Sequence, residues 1–176
     1  MKKIIILKKL KINKIKEFNS DFKDIDSNLN FNLSELLNNE NIHLKNYGKF
    51  PDIKIGASKS GVGPLRNKII DLFTEQNWEQ NVKVFDSRNE SIYLFKNKTM
   101  LQLSFGNYAQ GYFDILKLRN CYESGLSKSH IIVSLNNESV VSNKISGNLV
   151  NFDNLVEHYK YFDRFLNFPI VFLELI

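Results

Sequence analysis

Met100-Leu101-Gln102-Leu103-Ser104-Phe105-Gly106-Asn107-Tyr108 is the stretch whose reading decides the fold. Its start alternates apolar and polar residues, as a strand does when its side chains point to opposite faces in turn. Gly106-Asn107 then breaks the pattern with two residues suited to a tight turn. The aromatic segment 109–122 follows, and its spacing predicts a helix with Tyr112, Phe113, Leu116 and Cys121 or Asn120 facing inward. A central strand at 99–105 feeding a helix is the unit around which the chain is read.

Working outward, residues 91–95 predict a strand that an Asn97-Lys98 turn joins to the central one. Residues 82–85 predict another strand before it, with a turn at 86–89. Residues 64–78 predict the clearest helix, with Pro64 in a first turn that tolerates it, an apolar stripe at Leu65, Ile69, Leu72 and Phe73, and Asn77 at its end. After the 109–122 helix, residues 130–135 form a continuous apolar strand of the kind buried on both faces. Residues 136–148 are a polar loop. A helix is predicted at 152–167 with Leu155, Val156, Tyr159, Phe162 and Phe165 inward, and a buried strand at 170–176. Near the N-terminus, 3–7 predict a strand and 11–18 a short helical spacing through Ile12, Ile15 and Phe18. Residues 19–30 read as loop or helix ends. A helix follows at 29–39 with Ser34 as N-cap, then a short strand at 42–44. The resulting class is α/β, a mixed sheet flanked by helices.

The chain has 176 residues, 43% of them hydrophobic and 12% aromatic. That length suits one domain, 1–176, with a real core. No apolar run approaches the roughly 20 residues that a membrane span needs, and the apolar run at Ile4 to Leu7 before Lys8 and Lys9 reads as a strand, not a signal peptide. Cys121 is the only cysteine, which fits a reducing, cytoplasmic compartment. The net charge of +5 permits nucleic-acid binding without requiring it.

The basic, glycine-rich stretch 53–64 contains Lys54, Gly56, Lys59, Ser60, Gly61 and Gly63. Val62 and Gly63 follow Gly61 where a phosphate loop needs Lys and Ser or Thr, so the nucleotide reading fails. A loop meeting a DNA backbone and a solvated loop remain. Pro51-Asp52 reads as a turn. His43, His130 and His158 lack partners at zinc spacing, and His130, His158 and Cys121 read as structural.

The Lys59-Ser60-Gly61 loop, the helix ending at Trp78, the hairpin at 92–107 ending in Phe-Gly-Asn-Tyr and the Asp114-Ile115-Leu116-Lys117 helix come in a familiar order. Gly125, the Ile131-Ile132-Val133 strand, a Ser/Asn-rich loop, a long helix and a Pro-Ile-containing last strand complete it. From residue 59 to the C-terminus, and more weakly before, the chain resembles the BglII/BstYI group of type II restriction endonucleases, in the PD-(D/E)XK nuclease superfamily. The resemblance implies a restriction-endonuclease-like fold and a partner in duplex DNA. It also implies a homodimer, since palindromic sites match two-fold symmetry.

The resemblance further implies an aspartate on the first hairpin strand, a glutamate nine residues on, then a spacer and Gln or Glu. Such carboxylates hold Mg²⁺, which lowers the pKa of an attacking water. In this chain the same register falls on Tyr93, Gln102 and Ser104. None carries negative charge near pH 7, so no metal or other cofactor is expected; Mg²⁺ would be required only by an active nuclease. An engineered Glu→Gln exchange at Gln102 would explain one of the three departures and leave Tyr93 and Ser104 unexplained. A relocated metal site would draw on Asp86, while Glu90 falls on the opposite strand face. By the match, Asn107 and the loop carrying Ser142, Asn143, Lys144 and Ser146 are candidates for DNA contact, as Asn and Ser read base edges or phosphates. Lys54, Lys59, Ser60, Arg66, Lys96 and Lys98 are candidates for the backbone. The leading reading is a DNA-binding protein without Mg²⁺-dependent cleavage. The alternatives are an active endonuclease with a relocated or mutated site, and a partner or inhibitor of a second nuclease-like chain.

Overall fold

Ile170–Leu175, buried at every position, supplies the last strand of a six-stranded sheet. The computed structural model describes residues 10–29, 33–38, 42, 62–85, 90–138 and 149–176. In chain order the elements are β1 (Ile12–Phe18), α1 (Phe22–Asn28), α2 (Leu33–Leu37), α3 (Val62–Thr74), β2 (Glu79–Lys83), β3 (Ser91–Lys96), β4 (Thr99–Leu103), α4 (Tyr108–Glu123), β5 (Ser129–Leu135), α5 (Phe152–Leu166) and β6 (Ile170–Leu175). The sheet order is β1-β6-β5-β4-β3-β2. The strands β4, β5 and β6 run parallel, and the remaining neighbours pair antiparallel. The expected mixed α/β sheet is the one observed.

Two cores cover the two faces. Odd-numbered residues of the parallel strands, among them Leu101, Leu103, Ile131, Val133, Val171 and Leu173, pack with α1, α2 and α3. Even-numbered Met100, Ile132, Ile170 and Phe172 pack with α4 and α5. Strand alternation produces this division. The parallel steps β4 to β5 to β6 run in one direction across the sheet, and crossovers of one hand place both connecting helices on one face. Each buried Leu, Ile or Phe contributes at most about 1.5–3 kcal/mol.

Several local expectations are corrected. Residues 12–18 form an edge strand, because the backbone groups of β6 need a partner on that side, and Ile12, Ile15 and Phe18 pair with Leu175, Leu173 and Ile170. The polar segment 19–30 holds helix α1, whose Asp21 caps Lys23 N–H and whose Phe22 and Ile25 are buried. Ser34 lies within α2, not at its cap; Leu33 N–H instead donates to Asp26 Oδ1 at 2.6 Å. Helix α3 stops at Thr74, and Asn77 (φ 61°) sits in the turn beyond. The strand expected at 82–85 is Glu79–Lys83, where Gln80 pairs with Leu94. Asn97 and Lys98 both have positive φ (48° and 63°), the signature of a type I′ hairpin turn. The strand expected at 3–7 and residues 43–44 lie outside the described residues.

Two helices present faces that the sequence reading misassigned. In α4 the buried side chains include Asp114, Ile115, Lys117, Leu118 and Cys121, whereas Phe113 is 36% and Leu116 53% exposed. In α5 Leu155, Val156 and Tyr159 are buried, but Phe162 and Phe165 are 54% and 73% exposed.

His130 is structural, as its strand position implied. Its Nδ1 lies 2.7 Å from Pro169 O and its Nε2 2.7 Å from Ser127 Oγ. A carbonyl only accepts, so Nδ1 carries the hydrogen and the Ser127 hydroxyl donates to Nε2. Burial holds the imidazole pKa down to about 4, partly opposed by the Pro169 carbonyl. The His158 Nδ1 lies 2.6 Å from Asn154 O one turn back.

Candidate functional site at the ends of the central strands

Antiparallel pairing of Leu94 with Leu101 brings Tyr93 beside Gln102, the relation the sequence register required. Gln102 and Ser104, as even-numbered positions, face α4. Helix α4 begins just beyond β4 with Asn107 as N-cap, its Oδ1 accepting from Gln110 N–H at 2.9 Å. A helix that folds back over its own strand sets its first turns against that strand's C-terminal end. Gly106 permits the close return: a Cβ there would lie 2.8 Å from Gln110 Cγ.

Both ends of the Gln102 amide are engaged. Its Oε1 accepts from Tyr93 N–H at 3.2 Å, and its Nε2 donates to Asp114 Oδ1 at 2.8 Å. The same Asp114 oxygen accepts from Gln110 Nε2 at 2.9 Å and lies 2.8 Å from Lys117 Nζ. Lys117 also donates to Ser91 O at 3.1 Å. Gln102, Asp114 and Lys117 are all buried. A charge pair in such surroundings is tolerated because each member is hydrogen-bonded. Ser104 donates its backbone N–H to Val133 O at 2.9 Å, while its buried Oγ has no hydrogen-bond partner among the described residues.

Tyr93 departs from regular alternation. Ile92 belongs to the core under α4 and α5, but Leu94, two residues on, belongs to the core under α3. At this irregularity the Tyr93 ring packs toward α3, where Arg66 Nη1 donates to Tyr93 Oη and the guanidinium carbon lies 5.2 Å from the ring centroid.

These donors do not fit a Mg²⁺ ion. Magnesium demands several oxygen ligands with negative charge among them. The Gln102 carbonyl is taken by Tyr93 N–H, the Tyr93 phenol faces Arg66, and Ser104 is neutral. The nearby carboxylate, Asp114, already has an ammonium at contact distance. Among the described residues no group of three or more His, Cys, Asp or Glu is placed to hold a metal.

The candidate DNA contacts divide. Arg66 meets Tyr93 on the α3 side of the sheet, and Asn107 caps α4 on the side that Gln102 faces. Lys96 and Lys98 lie at the opposite end of the β3–β4 hairpin, where Lys96 Nζ donates to Gln76 O at 2.6 Å. Lys96 lies three positions along the chain from Tyr93 and Lys98 lies in the turn beyond it, roughly 10–15 Å away. Lys54, Lys59, Ser60, Asp86, Ser142, Asn143, Lys144 and Ser146 lie outside the described residues. Sequence reasoning missed Asp114, Gln110 and Lys117. Their signal was available: Asp114 shares its stripe with Leu118 and Cys121, at i+4 and i+7, and Gln110 and Lys117 are its i−4 and i+3 neighbours.

The family model described as restriction endonuclease BglII/BglIII matches residues 16–174. Among solved structures, the chain is similar to restriction endonuclease BglII complexed with a DNA 16-mer, with 17% identity and a TM-score of 0.56, over 65% of this chain and 56% of that one. Free BglII matches with 20% identity and a TM-score of 0.44, over 65% of this chain and 58% of that one. No curated protein matches. The aligned part therefore spans little more than half of the BglII chain, and at this identity the likeness concerns the fold.

Proposed function

The chain belongs to the restriction endonuclease BglII/BglIII family, and from that premise we propose that it is a single-domain duplex-DNA-binding protein that does not cleave by the Mg²⁺-dependent route. One observation carries the reading: Gln102 spends its amide between Tyr93 N–H and Asp114, and Asp114 is held by Lys117. The position that would gather carboxylates around a metal is closed by a neutral amide and an internal ion pair. A solved structure of this fold is described in complex with DNA, and a chain of net charge +5 is attracted to phosphate. The test is a mobility shift with a mixed-sequence duplex at about 50 mM salt, where phosphate contacts are strongest. Binding without strand cutting supports the reading; no binding removes it.

The partner we assign is a second copy of this chain, seated on the outer face of α4 and α5. Leu116, Tyr161, Phe162 and Phe165 are 53%, 71%, 54% and 73% exposed. Tyr112 and Tyr161 both pack against His158, which joins the two helices into one aromatic surface. Apolar surface of this kind marks an interface. Arg119, Glu123, Glu157, Lys160, Asp163 and Arg164 give these helices both signs of charge, which suits a self-complementary contact better than DNA. Among the described residues no helix is long and apolar enough to cross a membrane. With the lone buried thiol of Cys121, we assign the chain to the cytoplasm.

A further inference from the structure

We propose that Arg66 and Tyr93 form a phosphodiester-binding pair that grips the DNA backbone on the α3 side of the strands whose α4 side holds Gln102 and Asp114. The inference rests on the DNA-binding reading above and adds to it a specific anchor. Arg66 stands on the second turn of α3, partly exposed, and among the described residues it has no carboxylate partner. By contrast Arg119 lies 2.7 Å from Glu123. What fixes Arg66 is Tyr93, whose ring lies beneath the guanidinium and whose oxygen accepts from Nη1. This contact uses one of five guanidinium N–H donors, so the planar fork still has donors for the two free oxygens of a phosphodiester. The phenol accepts from Arg66 and keeps its own O–H to donate, and no acceptor for it occurs among the described residues. The pair thus offers an oriented cation and a neutral donor side by side.

The irregularity at Tyr93 gives this arrangement its physical cause. With regular alternation the ring would point toward α4, where Gln102 and Asp114 are buried. The break turns it to the α3 side, and its backbone N–H is held in that position by Gln102 Oε1. The Gln102 amide that closes the metal position therefore also sets the phenol under Arg66. Pre-ordering an arginine on an aromatic ring lowers the entropy lost when it binds an oxyanion.

The test is fluorescence anisotropy of a labelled duplex of about 20 base pairs, titrated from ~50 to ~200 mM salt, a range in which phosphate contacts weaken measurably. Replacing Arg66 by methionine should weaken binding about tenfold on every sequence and lower the slope of log K against log salt by about 1, as loss of one phosphate contact does. Tyr93→Phe should weaken binding about threefold with the slope unchanged, because a neutral donor releases no counterion. Arg66→Lys should restore the slope but not the full affinity. Thermal unfolding of each variant establishes that it is folded, and Tyr93→Phe, which keeps the ring, still decides the matter if the Arg66 variants unfold. Wild-type slope and affinity in both Arg66→Met and Tyr93→Phe overturn the pair while leaving DNA binding intact. A wild-type chain that binds no duplex overturns both. Displacement of the duplex by micromolar inorganic phosphate at matched ionic strength assigns the pair to free phosphate and overturns the backbone anchor.

Discussion

Gln102 Nε2 donates to Asp114 Oδ1 at 2.8 Å, across the gap between the middle of the sheet and the helix packed on it. Lys117 approaches the same oxygen from the next turn of α4 at 2.8 Å. An internal cation thus sits against the buried carboxylate, and the cluster is satisfied by its own residues.

Breaking that closure from either side should be costly. Asp114→Asn preserves an acceptor for Gln102 but leaves Lys117 buried without its acid, and Lys117→Met leaves Asp114 charged. Each should lower the unfolding free energy by about 3 kcal/mol, and the double variant should recover a large part of the loss. Urea unfolding of the four proteins measures the cycle; additive losses would contradict the coupling.

Acid should weaken the fold through His130. The imidazole is neutral in the native state, with its pKa down at about 4, against about 6.5 when unfolded. The folded value is the lower one, so this stabilisation is fully present above pH 6.5 and is lost as pH falls from 6.5 toward 4. The full loss is on the order of 3 kcal/mol. Urea unfolding at pH 7, 5.5 and 4.5 measures it. A His130→Gln variant should show a flatter profile over that window; an equally steep one would assign the acid sensitivity to other groups.

Helices α4 and α5 touch at Gly111, where an added Cβ would lie 2.9 Å from Leu155 Cδ2 and 3.1 Å from both Val150 methyls. Gly111→Ala gains helix propensity of about 1 kcal/mol and meets an overpacking cost of about 1–3 kcal/mol. The expected result is a net loss of about 1 kcal/mol in chemical denaturation. A stabilised variant would mean that the two helices separate freely.

The outer aromatic surface should control assembly. Phe165→Glu, at a position 73% exposed, should leave the thermal midpoint nearly unchanged and shift the protein from dimer to monomer in light scattering. A wild-type chain that is already monomeric at about 100 μM, well above the dissociation constants of specific dimers, would contradict the assignment.

The parts of the fold most legible in the sequence were those with the simplest environments. β5 and β6 read correctly because strands buried on both faces leave continuous apolar runs. β1 read as helical because, with Asn13 to Glu17 exposed, an edge strand shows little alternation, and it is defined by its pairing to β6, which local sequence does not contain. The inward face of α4 was misread because aromatic residues were taken as buried and charged ones as exposed. Asp114 and Lys117 reverse that assignment by satisfying each other. The register of Tyr93 with Gln102 was legible by counting. What the amide of Gln102 does was not, since its partners come from another strand and a helix.

We propose that this chain holds duplex DNA and does not cut it. The direct measurement is one incubation of the protein with a mixed-sequence duplex in Mn²⁺, divided between a native and a denaturing gel. The expected result is a retarded band on the native gel and full-length strands on the denaturing one. Discrete shortened strands would contradict it.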